Sequence, residues 1–242
     1  MDPSSPPSYF IVVPVLDEAE ALPGLLADLR RHGLLARTLF VDNGSRDGGP
    51  GLIRAAGGTV LHEPRRGYAY PCFAGAREAA ARGAVAAVFM EGDGTDDPSQ
   101  VRHIVGPVLA DVADLVVGSR HLAVRDADDG RMPWHQRVGN EYLALALRLL
   151  FGLELSDDGP FRAVRLSLLE EMRLEERPWA FTTEMVVKAR LMGVRIAVRN
   201  TRYRPRAGRS KIAGTLGGTV GATRDIIWSL LRLRLFGLRQ RA

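Results

Sequence analysis

Glu91 and Asp93 stand one glycine apart, directly after an unbroken apolar run from Ala84 to Met90, and Gly94-Thr95-Asp96-Asp97-Pro98 follows them. Hard divalent cations take carboxylate oxygens, and Mg²⁺ in particular keeps coordination positions for water and for substrate phosphates. Two carboxylates in a turn held open by Gly92 and Gly94 suit such an ion. The plainer alternative is a solvated acidic turn. The same polar character recurs at Asp17-Glu18, and with glycine at Asp42-Asn43-Gly44-Ser45-Arg46-Asp47-Gly48 and at His62-Glu63-Pro64-Arg65-Arg66-Gly67.

Each of these turns follows a short apolar run. Ala84 to Met90, bounded by Gly83 and the acidic turn, reads as a fully buried strand. Tyr9 to Val15, Thr38 to Val41, Thr59 to Leu61 and Asp114 to Val117 read as further strands. Between them, Leu22, Leu25, Leu26 and Leu29 recur at helical spacing, with Pro23 in the first turn, where its missing N–H does little harm. Pro71 to Ala81 is a helix of small residues, and another is expected near Pro98 to Ala110. The alternation of strand and helix argues a parallel sheet with helices on both faces. Strand-end turns of such a sheet gather on one edge, where ligands bind.

Beyond Arg120 the pattern loosens. Ala123 to Arg131 reads as a loop, Trp134 to Phe151 as a helix, and Asp157 to Arg165 as a turn entering a short strand. Phe181 to Met192 reads as a helix bearing Glu184 and Lys188, and Val194 to Tyr203 as an edge strand, since Arg and Asn alternate with apolar residues. Gly214 to Ala242 is a basic amphipathic helix, leaving two readings open: a membrane-interface element or a terminal helix packed on the domain. The expected division is residues 1–213 as one domain and 214–242 as this helix.

The chain has 242 residues, 46% of them hydrophobic, and a formal net charge of +5, enough for a substantial core. The sequence pI near 9.9 favours phosphates, acidic lipid or nucleic acid as partners. Nearly all the positive charge is arginine, with Lys188 and Lys211 the two lysines. Arginine grips phosphate oxygens bidentately, although an Arg- and Ala-rich composition also follows from genomic base content. The single Cys72 excludes an intramolecular disulfide framework and points to a reducing compartment. Residues 1–8 are polar and lack the apolar core of a signal peptide. A cytoplasmic protein, soluble or peripheral at a membrane surface, is expected.

Read in order, the turns resemble those of inverting family 2 glycosyltransferases. Phe10 to Glu18 is similar to the family's opening strand and P-x-x-N-E turn, and Val41 to Gly48 to its V-D-D-x-S-x-D-G segment. Arg66-Gly67-Tyr68-Ala69 resembles the loop-helix of the dolichol-phosphate mannose synthase group, and Glu91-Gly92-Asp93 falls at the D-x-D metal motif. Val117-Gly118-Ser119-Arg120, Gly159-Pro160-Phe161-Arg162 and Arg209-Ser210-Lys211 also look like family segments. The matches span roughly residues 9 to 215. The resemblance implies a GT-A fold, a nucleoside-diphosphate-sugar donor carrying UDP or GDP, and Mg²⁺ or Mn²⁺ held by Glu91 and Asp93. It assigns Asp42 to the nucleotide base, with Pro14, Asp17, Glu18, Gly67 and Gly92 around the nucleotide. A carboxylate accepts hydrogen bonds from a base's N–H edge; the alternative for Asp42 is a turn-capping aspartate. Two departures stand out: Glu91 replaces the usual Asp, and Asp17 the common Asn. The longer Glu91 leaves open ligation by Asp93 alone, with Glu91 acting through water.

The implied reaction displaces a nucleoside diphosphate from an anomeric carbon, so cationic stabilisation of the leaving group is the main need. Arg120, Arg137, Arg209 and Lys211 are the candidates for the diphosphate or an acceptor phosphate. A polyprenyl phosphate or another phosphorylated or lipid-linked acceptor needs no base. A hydroxyl acceptor needs one within hydrogen-bond reach, and Asp158 and Glu184 are the candidates; for Glu184 the alternative is favourable charge at a helix N-terminus. A retaining transferase of the glucosyl-3-phosphoglycerate synthase type and a non-catalytic nucleotide-binding module are the rivals. A nucleotidyltransferase ranks low, because no glycine-rich basic loop follows the first strand. Nucleic acid is discounted for want of a recognisable module or of aromatics interleaved in the basic stretches.

Overall fold

The computed structural model describes residues 8–120, 134–155, 158–175, 177–202, 204, 206 and 216–237. In chain order the elements are β1 (Tyr9–Val15), α1 (Leu22–Arg31), β2 (Thr38–Asp42), α2 (Gly49–Ala55), β3 (Thr59–His62), α3 (Ala69–Ala81), β4 (Ala86–Phe89), α4 (Val101–Leu109) and β5 (Leu115–Ser119). Then come α5 (Trp134–Phe151), β6 (Arg162–Arg165), α6 (Leu166–Glu171), α7 (Phe181–Leu191), β7 (Ile196–Asn200) and α8 (Leu216–Phe236). The strands form one sheet in the order β3-β2-β1-β4-β6-β5-β7.

Period-two alternation divides the core between the two faces of this sheet. Phe10 and Val12 of β1 join Leu39, Val41, Cys72, Ala76 and Phe181 on one face. Ile11, Val13 and Val15 join Leu22, Leu25, Leu29, Phe40 and Ile104 on the other. Helix α1 buries the four leucines expected of it and carries proline in its first turn. Residues 86–90 have no exposed surface, as a central strand covered on both faces requires. Phe89 meets Phe181 edge to face at 5.0 Å, and Phe73 and Tyr68 approach the same ring. Removing a side chain like Phe89 costs about 3–5 kcal/mol, so β4 is anchored where its end must be held still.

The sheet is mostly parallel, as expected, with one reversal. β6 is antiparallel to both β4 and β5, pairing Phe89 with Arg162 and Val117 with Arg162. It therefore starts at the edge where β4 and β5 finish, and the Asp158–Phe161 turn falls on that same edge. β7 pairs with β5 alone, parallel, and is the expected edge strand. Two short helices, α2 and α6, were not anticipated. Gly49-Pro50-Gly51 at the head of α2 has the composition of a turn, and α6 spans six residues, too few to display a period. The expected loop at 123–131 and the Arg209-Ser210-Lys211 segment lie outside the described residues, as does the side chain of Arg137.

Candidate active site

The carboxyl ends of β1 and β2 are stitched together through their turns. The Asn43 N–H donates to the Val15 carbonyl at 2.8 Å. The Asp17 N–H donates to Ser45 Oγ at 3.1 Å, and the Arg46 and Ala19 N–H groups donate to the Asp17 and Asp47 carboxylates, each at 2.6 Å. Asp17 sits at φ +53°, a left-handed conformation that aspartate tolerates better than most residues. Asp42 is buried and accepts from the Ser45 N–H at 2.9 Å, with His62 Nδ1 3.2 Å from its other oxygen. Burial alone would raise its pKa, but the hydrogen bonds from Ser45 and His62 outweigh it and hold the carboxyl below the usual range. Asp42 thus stays ionised at the sheet edge.

Asn43 extends the stitching to β3. Its amide donates to the Glu63 and Arg65 carbonyls at 2.9 and 2.6 Å and accepts from the Gly67 N–H at 3.1 Å. Gly67 adopts φ +137°, and a Cβ there would lie 2.6 Å from Pro178 Cβ. Its glycine identity is therefore demanded by packing, apart from any contact with a nucleotide. Asn43 was missed as a positioning residue. It lies inside the Val41 to Gly48 segment, but no spacing rule points from it to residue 67.

At the end of β4 the chain passes over β1 so closely that a Cβ on Gly92 would meet the Pro14 carbonyl oxygen at 2.8 Å. This contact fixes Glu91 and Asp93 above the end of β1. The Glu91 N–H donates to the Asp96 carboxylate at 2.9 Å. Asp93 accepts from the Thr95 N–H at 3.0 Å and from Thr95 Oγ1 at 2.7 Å. Its second oxygen is met by Arg206, whose Nε lies 2.5 Å away. Burial, then the charges of Asp93 and Asp96, push the Glu91 carboxyl up to about 8, with Arg120 and Arg206 pulling the other way. Arg120, just past the end of β5, is thereby brought into the electrostatic reach of this cluster.

Such a crowd of carboxylates favours additional positive charge. Among the described residues no three acidic, histidine or cysteine groups could hold an ion by themselves. A divalent ion here would be completed by water and substrate phosphate, the mode Mg²⁺ prefers. The hard-oxygen donors Glu91 and Asp93 fit that mode.

The two carboxylates considered as bases are engaged elsewhere. Asp158 pairs with the fully buried Arg162 at 2.9 Å and accepts from Thr183 Oγ1 at 2.7 Å. Arg162 also donates to the Thr182 carbonyl at 2.9 Å and contacts the Gly159 carbonyl, so Asp158 is the counter-ion of the residue that opens β6. Glu184 has no exposed surface. Its carboxylate lies 2.8 Å from Lys188 and 3.1 Å from Arg232, and accepts from the Glu175 N–H at 3.0 Å. It holds α7 to α8. Its position in the first turn of α7 is the one expected, but Arg232 belongs to a helix that the α7 segment gives no means of connecting with it. Arg206 was missed for the same reason, as one arginine among many.

A family model described as glycosyl transferase family 2 matches residues 10–173. The chain is 32% identical over 222 residues to an uncharacterised glycosyltransferase of Mycobacterium tuberculosis, covering 91% of this chain and 96% of that one. It is 32% identical over 248 residues to the undecaprenyl-phosphate mannosyltransferase of Micrococcus luteus, covering 95% and 97%. Among solved structures, glucosyl-3-phosphoglycerate synthase of Mycobacterium tuberculosis with Mg²⁺ and UDP superposes with a TM-score of 0.70 at 21% identity, covering 94% of this chain and 79% of that one. A further complex of that enzyme holds Mn²⁺, UDP-glucose and phosphoglyceric acid. At this identity the likeness speaks for the fold alone, which is the expected GT-A architecture. The acidic turn at the end of the central strand, the stitched turns beside it and these relatives lead to one assignment: the chain belongs to glycosyl transferase family 2 and is a glycosyltransferase.

Proposed function

We propose that the enzyme moves a sugar, with inversion, from a UDP- or GDP-sugar to a phosphorylated acceptor, with polyprenyl phosphate the leading candidate. The observation that carries this reading is the meeting of Glu91 and Asp93 with the end of β1, itself bonded to the β2 turn, on one side and with Arg120 and Arg206 on the other. Asp42 receives the nucleotide base, while Pro14, Asp17, Glu18, Gly67 and Gly92 shape its surroundings. Asp93, with Glu91 directly or through water, holds Mg²⁺ or Mn²⁺, which when bound supplies positive charge at the leaving diphosphate. Arg120 serves the same charge from the β5 side, and Arg137, Arg209 and Lys211 remain candidates for donor or acceptor phosphate.

A phosphate acceptor is favoured because both carboxylates considered as bases already have partners. Asp158 is committed to Arg162 and Thr183, and Glu184 to Lys188 and Arg232. An ionised phosphate attacks without a base, whereas a hydroxyl requires one. We read Asp158 and Glu184 as structural for this reason. The name of the Micrococcus relative also supports a polyprenyl phosphate. The fold likeness to glucosyl-3-phosphoglycerate synthase supports a second reading, a retaining transfer to a small phosphorylated acid.

Residues 1–213 form the proposed transferase unit and 214–242 its basic amphipathic extension. Among the described residues no helix is long and apolar enough to cross a membrane. Helix α8 buries Leu230 and Leu233 in the core while Ile227, Trp228, Leu231 and Leu235 are 50–72% exposed, next to the exposed Arg224 and Arg234. We assign that outer face to an anionic lipid surface, placing the enzyme at the cytoplasmic side of a membrane. Replacing Ile227, Leu231 and Leu235 together by serine should lower partition onto phosphatidylglycerol-containing vesicles by about tenfold or more without lowering the thermal midpoint. Equal partition would end the membrane assignment.

The deciding experiment offers UDP- and GDP-sugars, with and without Mn²⁺, to undecaprenyl phosphate, to 3-phosphoglycerate and to a soluble hydroxyl acceptor, and reads the product's anomeric configuration by NMR. Metal-dependent, inverted transfer to undecaprenyl phosphate is expected. Retention on phosphoglycerate would give the second reading. Donor binding without transfer or hydrolysis would leave a binding module.

A further inference from the structure

We propose that Arg206 is an internal cation that occupies Asp93 before a divalent ion does, so that loading the donor site requires the guanidinium to leave. This rests on the metal reading of Asp93 given above. Asp93 is 1% exposed, and both of its oxygens are occupied: Thr95 takes one through its N–H and hydroxyl, and Arg206 takes the other through Nε and a terminal nitrogen. Thr95 follows Asp93 within the same turn, and its two bonds fix the rotation of the carboxylate. The oxygen left for an ion is therefore the one that Arg206 covers. A guanidinium and a divalent cation on one carboxylate oxygen repel each other at contact distance, so the two states exclude one another.

The surrounding chain makes the displacement local and reversible. Leaving β7, the Thr201 N–H donates to the Ser119 carbonyl at 2.8 Å, and the Arg202 N–H to Gln100 Oε1 at 2.7 Å. The Arg204 N–H then donates to the Thr95 carbonyl at 2.9 Å, while its guanidinium bridges Asp28 at 2.5 Å and Asp97 at 2.8 Å. These bonds moor the backbone beside the acidic turn two residues before Arg206. The Arg206 side chain is 25% exposed and long enough to swing outward while its anchor stays put. The moored Arg204 and the displaceable Arg206 thus divide two tasks between neighbouring arginines of the same strap. One fastens the strap to the rim, and the other covers the ion's place.

The test is Mn²⁺ binding without nucleotide or turnover, followed by electron paramagnetic resonance of the free ion. Arg206→Gln should bind Mn²⁺ roughly ten- to a hundredfold more tightly than the wild type, the scale of one charge-assisted pair removed. Arg206→Lys, which keeps the charge, should stay near the wild type. Unchanged or weaker Mn²⁺ binding in folded Arg206→Gln overturns the proposal. Asp93→Asn, made in both backgrounds, separates the two failures. If it leaves Mn²⁺ affinity untouched in each, the metal reading of Asp93 has failed rather than the competition. Should Arg206→Gln not fold, the wild type answers by NMR: Mg²⁺ must abolish the protected Arg206 Nε–H signal, assigned by its absence in Arg206→Lys. A signal that survives saturating Mg²⁺ overturns the proposal.

Discussion

Two buried acidic clusters meet arginines from distant parts of the chain, and they are built to opposite ends. At the tip of β4, Glu91, Asp93 and Asp96 crowd together, and Arg206 is the guanidinium in contact with Asp93. Between α7 and α8, the carboxylate of Glu184 receives Lys188, Arg232 and a backbone N–H, and Arg232 also pairs with Glu175 at 2.8 Å. In the first cluster burial, and then the charges of Asp93 and Asp96, push the Glu91 carboxyl up to about 8, against Arg120 and Arg206. The second has cations in hand on every side. We propose that the first cluster is a place for a charge that arrives with the substrate, and that the second, its carboxylate already paired with the chain's own cations, is a joint.

The comparison breaks most sharply at Asp93. Asp93→Asn should lower metal-dependent turnover by about a thousandfold or more and leave the thermal midpoint within a few degrees, read by donor hydrolysis beside calorimetry. Full activity in the folded variant would remove the first half of the contrast. Glu184→Gln should show the reverse. It leaves the buried Lys188 without its carboxylate and Arg232 with Glu175 alone, and should cost about 3–5 kcal/mol in denaturant unfolding, with donor KM unchanged in the folded fraction. Lost turnover at unaltered stability would instead make Glu184 a base. The smallest effect belongs to the sheet's far edge, where Arg195 bonds to Asp114 of the turn before β5 and holds its carboxyl down from 3.8 to about 2, against burial. Because the folded pKa lies below the unfolded one, this stability is present above about pH 4 and is lost as pH falls through 2. Asp114→Asn should cost on the order of 1 kcal/mol at neutral pH, a deficit that closes in acid. A deficit independent of pH would assign the effect to packing.

The half of the candidate site that was legible in the sequence is the half made of strand ends. Ala84 to Met90, Tyr9 to Val15 and Thr38 to Val41 announce themselves as apolar runs, and a parallel sheet brings their turns to one edge without further information. Asp42, Glu91 and Asp93 follow from that rule. The direction of β6 does not, because the four residues Arg162–Arg165 carry no mark of which way they run. Its reversal is what carries Asp158 and Arg162 to the same edge. Asn43 and Arg206 were illegible for another reason: their partners are 24 and 113 residues distant, and hydrogen bonds at that range leave no period in the chain. The four leucines of α8 that alternate between core and exterior show the intermediate case. Its amphipathicity was plain, but not that Arg232 would be pinned beneath it.

The insertion of β6 between β4 and β5 also has a consequence for synthesis. During translation β1 is available to pair with β4 as soon as β4 is made, while the strand that covers the other flank of β4 is absent until residues 162–165 emerge. At about 5–20 residues per second that flank stays open for on the order of several seconds. It is an all-apolar strand with unpaired backbone groups, the kind of edge that seeds association between nascent chains. Yield in the cell should therefore depend on how quickly the second half is made or shielded, more than on the stability of the finished enzyme.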